Sequence, residues 1–78
     1  MYYMENVKQY FSEYIKELRL QKGLSQRQLE KEINISQATI ARLEKGLNMP
    51  DVETLIAYSV FFNLSIDTLL GLNNKIEI

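Results

Sequence analysis

The run LSQRQLEKEINISQATIARLEKG, residues 24–46, leaves this chain few ways to fold. Leu29 and Ile33 repeat at the i, i+4 interval that lines one side of an α-helix. Just ahead of them, Ser25 can accept a hydrogen bond from a free N–H of the first turn. Gln28, three residues on, can reach back to the Ser25 N–H and close a capping box. The repeat breaks at Asn34, a residue that tolerates the left-handed conformation in which a helix stops. Ile35 is the apolar anchor of the turn, and Ser36 caps a second helix that runs to about Lys45, with Gly46 ending it. In that helix Ile40 and Leu43 point inward, while Gln37, Ala38, Ala41 and Arg42 face out. Two short helices held at a tight turn are the economical reading.

The remaining chain supplies packing around this pair. Tyr3, Val7, Tyr10, Phe11, Tyr14, Ile15 and Leu18 recur at spacings of three and four, predicting one amino-terminal helix with a broad apolar stripe. Asn6 is a candidate cap for it, with an earlier start as the alternative. After Gly46 a loop through Pro50 leads to a fourth helix capped by Asp51, with Val52, Leu55, Ile56, Ser59 and Phe62 as its expected inward face. Ala57, Val60, Phe61 and Leu64 form a second apolar stripe. It serves either as core under the amino-terminal helix or tail, or as a dimer or partner interface. A last short helix starts at Ser65, buries Ile66, Leu69 and Leu70, and stops at Gly71. The tail, residues 72–78, is either frayed or docks Ile76 and Ile78 on a partner.

Function classes fall away by composition. At 78 residues there is room for one small core, so a single domain over residues 1–78 is expected. With no cysteine there is no disulfide framework and no thiolate metal site, which fits a reducing, cytoplasmic setting. With no histidine the commonest general base and metal ligand is missing. There is no glycine-rich phosphate loop and no carboxylate pair in an evident cleft, so neither an enzyme nor a cofactor is expected. The longest uncharged, mostly apolar run, residues 54–66, is too short to span a bilayer, and no signal peptide is evident.

Five blocks, in order, resemble the Cro and phage-repressor (Xre-type) helix-turn-helix family: IKELR at residues 15–19, GLSQ at 23–26, IS-x(3)-I-x(2)-LE-x-G at 35–46, Pro50, and LSIDTLLG at 64–71. The match covers about residues 11–71. The resemblance implies an all-α, five-helix, lambda-repressor-like fold that binds operator DNA with its second motif helix in the major groove. It also implies a partly buried bridge between Arg19 and Glu44, which an arginine–carboxylate fork makes chemically apt, and a phosphate contact at Gln26. Two positions depart from the family pattern. Glu30 stands where alanine is usual, at the crossing of the motif helices, and Asn34 replaces the glycine of the turn.

The formal charge of −1 is unhelpful to a DNA binder, but its distribution is not. Between residues 22 and 46, Lys22, Arg27, Lys31, Arg42 and Lys45 outnumber Glu30, Glu32 and Glu44 by two; from residue 47 on, acids outnumber bases by three. An amide can pair with adenine N6 and N7 and a guanidinium with guanine O6 and N7, which makes Gln37 and Arg42 the candidate base readers. Ala38 permits close approach and can meet a thymine methyl, and Thr39 can bond a base or a phosphate. Arg27, Lys45 and Asn48 join Gln26 as candidate phosphate contacts, which position without specifying. The reading is a sequence-specific regulator, a repressor on a palindromic operator, bound as a homodimer to double-stranded DNA. The alternative is a protein-interaction module of the same fold, using the fourth helix and the tail.

Overall fold

Four short polar side chains each accept the amide three residues on: Ser25 from Gln28, Ser36 from Thr39, Asp51 from Thr54 and Ser65 from Thr68, at 2.9–3.1 Å. Each satisfies a donor that the first helical turn leaves without an intrahelical partner. The computed structural model describes residues 2–72, with side chains from residue 6 onward. The helices are α1 Tyr2–Gln21, α2 Gln26–Ile33, α3 Gln37–Glu44, α4 Val52–Phe62 and α5 Ile66–Leu70, with no strand among the described residues. The helix α1 takes the earlier of its two possible starts, continuing ahead of Asn6. The side chain of Tyr3, and Ile76 and Ile78 of the tail, lie outside the described residues.

The ends of the helices follow local chemistry. Ser25 and Gln28 close the capping box in both directions, the return bond being 2.8 Å. Asn34 stops α2 at φ 59°, and Asn63 stops α4 at φ 57°. Packing then builds from α1, which lies against α3 and α5, while α2 lies against α3 and α4, and α4 against α5. Phe11 and Ile15 from α1, Leu29 and Ile33 from α2, Ile40 and Leu43 from α3, Tyr58 and Leu69 form one buried cluster. Where α1 meets the chain just after α5, the ring of Tyr10 sits so close to Gly71 that an added Cβ would lie 2.8 Å from it. Gly71 also holds φ 74°, a conformation side chains resist.

The phase of α4 differs from expectation. Val52 and Ile56, expected inside, are 68% and 49% exposed, and Val60 is 74% exposed. The buried positions are Thr54 and Tyr58 instead. Of the second stripe, Ala57, Phe61 and Leu64 pack against the core, and only Val60 stands clear. The cause is that apolar side chains surround α4 almost completely, so hydropathy gives it no preferred rotation. Ring packing sets the rotation: Tyr58 meets Phe11 edge-on at 5.9 Å and stacks on Phe62 at 6.0 Å between centroids. Phe61 is covered in turn by the ammonium of Lys22, 5.2 Å above its ring.

Candidate nucleic-acid interface

The outer end of the motif is held by a chain of hydrogen bonds that begins in the interior. Arg19, near the end of α1, is 7% exposed. Its Nε and Nη2 donate to the two carboxylate oxygens of Glu44 at 2.7 and 2.9 Å, and its Nη1 donates to the carbonyl of Leu24 at 2.7 Å. One guanidinium therefore ties α1 to both the last residue of α3 and the residue before the α2 cap. The side chains of the pair retain 9% and 3% of their exposure. The guanidinium is held above the usual arginine value, chiefly by its hydrogen bond to Glu44, with burial pulling the other way. Tyr58 lies close enough to feel both charges. Its hydroxyl is buried without a hydrogen-bond partner, and its acidity is suppressed first by burial and next by the Glu44 carboxylate.

From Glu44 the chain runs outward. Its Oε1 also accepts from Gln26 Nε2 at 3.0 Å, and Gln26 Oε1 accepts from Gln37 Nε2 at 2.8 Å. Gln26 and Gln37 are the first residues of α2 and α3, so their amides meet where two positive helix termini converge. Gln37 is half-buried, while Ala38 and Arg42 are exposed on the outer side of α3. Arg42 Nη2 donates to Asn48 Oδ1 at 3.2 Å, which steadies it against the loop before α4 and leaves the Asn48 amide nitrogen available. The Thr39 hydroxyl accepts from Ser36 at 2.9 Å. Arg27 and Lys45 are exposed, and Glu30 on α2 is half-buried. Among the described residues no group of acids could hold a metal ion, and no helix is long and apolar enough to cross a membrane.

A family model described as helix-turn-helix matches residues 15–69, which takes in the anchored Arg19–Glu44 pair and the whole of α2 and α3. This chain belongs to the Xre-type helix-turn-helix family. As an Xre-type chain it is similar to an HTH-type transcriptional activator, BcrR, of Enterococcus faecalis, with 38% identity over 61 residues, 78% of this chain and 30% of the relative. It is similar also to an HTH-type transcriptional regulator, ImmR, of Bacillus subtilis: 33% over 57 residues, 73% of this chain and 45% of the relative. A third relative, from Haemophilus influenzae and named an uncharacterized HTH-type transcriptional regulator, is 51% identical over 45 residues, 54% of this chain and 46% of its own. The chain thus spans less than half of the length of each of these curated relatives, from 30% to 46%. No solved structure matches it significantly.

Sequence reasoning placed Gln26 and Gln37 separately, as a phosphate contact and a base reader, and missed the bonds joining them to Glu44. One signal was present: Gln37 and Glu44 are seven residues apart, two helical turns, and so share a side of α3. The part played by the carbonyl of Leu24 had no signal, because it depends on how α1 crosses the motif.

Proposed function

We propose that this chain is the DNA-reading unit of a transcriptional regulator, cytoplasmic and non-enzymatic, that binds a palindromic operator as a homodimer and represses where that operator overlaps a promoter. The observation that carries the reading is the outer face of α3. It offers an amide, a methyl and a guanidinium at Gln37, Ala38 and Arg42, flanked by exposed Arg27 and Lys45 and braced from behind by Arg19 and Glu44. In the major groove Gln37 and Arg42 read base edges, aided by Thr39, while Gln26, Arg27, Lys45 and Asn48 contact phosphates. Two copies place their α3 helices one helical turn of DNA apart, about 34 Å. The exposed Val52, Ile56 and Val60 of α4 supply the apolar face through which the copies meet.

The test is binding to duplex DNA at two salt concentrations. A phosphate-binding surface of this kind weakens steeply between about 50 and 200 mM salt, as counterions recondense. Within a selected operator, Gln37→Ala relaxes discrimination at one base position by about 1–3 kcal/mol, whereas Arg27→Ala weakens all sequences alike. No binding to any duplex at low salt would sink the reading. The second reading, a protein-interaction module, is favoured by that same bare face of α4, with Leu47 and Met49 exposed in the loop before it. It would then stand.

A further inference from the structure

We infer that Glu44, which lies behind the reading face, sets the base preference of Gln37 by fixing the orientation of its amide through Gln26. The inference rests on the DNA-reading function proposed above. An ionised carboxylate only accepts hydrogen bonds, so whatever group faces Glu44 must turn a donor to it. Glu44 Oε1 already takes Arg19 Nη2 and receives Gln26 Nε2 at 3.0 Å. With one N–H turned inward to Glu44, the Gln26 amide keeps its second N–H for the phosphate and turns its oxygen outward. There it accepts from Gln37 Nε2 at 2.8 Å. The polarity of the carboxylate is thereby handed on twice.

The result at the outer end is specific. Gln37 keeps its carbonyl oxygen and one N–H for a base, the second N–H being held by Gln26. Adenine presents a donor at N6 beside an acceptor at N7 and is matched by such an amide. Guanine presents two acceptors, O6 and N7, and needs two donors where only one remains. The same held amide therefore accepts adenine and sets an oxygen against O6 of guanine. Glu44 is in this sense a positioning residue, since it never reaches the base. The Arg19 fork occupies both oxygens of its carboxylate and holds it in place.

The experiment is selection of bound sequences from a random duplex pool by the wild-type chain, Gln37→Ala, Glu44→Gln and Gln26→Met. The base position read by Gln37 is the one whose preference disappears in Gln37→Ala. At that position the wild type is expected to prefer adenine over guanine by about tenfold or more. Gln26→Met breaks the series while leaving the Arg19–Glu44 pair intact, and Glu44→Gln removes the obligatory acceptor. Both should bring the ratio within about threefold, with preferences at the other positions kept. Should Glu44→Gln fail to fold, Gln26→Met decides alone. If the variants keep the adenine preference, or lose preference evenly at every position, the inference is overturned and the DNA-reading function stands. If the wild type enriches no sequence, both fall together.

Discussion

The helices α3 and α4 begin alike, each on a cap that accepts the amide three residues on, yet they were unequally readable. The sides of α3 differ in chemistry: Ile40 and Leu43 inside, amide, methyl and guanidinium outside. Only one rotation of such a helix buries its apolar side chains. Apart from Glu53 in its first turn, the surface of α4 is apolar nearly all round, so hydropathy alone determines its rotation only weakly. What orients it is the shape of Tyr58, which fits between Phe11 and Phe62. Where chemistry varies around a helix, sequence determines rotation; where it does not, shape does, and shape is a property of the assembled core.

Breaking the anchored side of this comparison should have the largest effect. Glu44→Ala strands the buried guanidinium of Arg19 and removes the partner of Gln26, a loss of about 3–5 kcal/mol measured by urea unfolding. On α4, Phe61→Glu should cost about 3 kcal/mol, because it places a charge where a ring now packs against the core. If Phe61→Glu instead leaves stability unchanged, the rotation described for α4 is wrong. Tyr58→Phe removes a buried hydroxyl that has no partner, so stability should hold or rise by about 1 kcal/mol in the same assay. Ile56→Glu, on the bare face of the same helix, should stay within about 0.5 kcal/mol in the monomer while dissociating a dimer in light scattering.

The smallest effect concerns pH. Hydrogen bonds from Thr54 hold the Asp51 carboxyl below its usual value. A carboxyl lowered in the folded state adds stability above its unfolded value, and that contribution is lost as pH falls through the folded value. The stability of the wild type should therefore drop below that of Asp51→Asn under about pH 4 and run parallel to it near neutrality. Parallel curves throughout would show that the cap does not depend on its charge.

These differences bound what was legible. Caps and stops were, because Ser25 with Gln28, Ser36 with Thr39, and Asn34 act within a few residues of themselves. Ala38 and Arg42 were legible as an outward face of α3. Thr54 was not legible as interior, since a hydroxyl is ordinarily scored as surface, and neither was Tyr58, whose burial leaves its oxygen unpaired. The bonds from Glu44 through Gln26 to Gln37 join the ends of two helices; the seven-residue spacing of Gln37 and Glu44 puts those two on one side of α3, but the link through Gln26 depends on how α2 crosses it.

The seat of Tyr10 on Gly71 has a consequence for the order in which the molecule can be made. The two residues lie near opposite ends of the chain, so bringing them together closes a long loop, a step that delays folding. During synthesis α1 leaves the ribosome before α5 and cannot settle against it until Gly71 has emerged. Until then α1 has its contact with α3, through the fork of Arg19 on Glu44, to set its angle. A nascent chain stopped before Gly71 would therefore carry Gln37, Ala38 and Arg42 while the helix that braces them from behind still lacked its seat on α5.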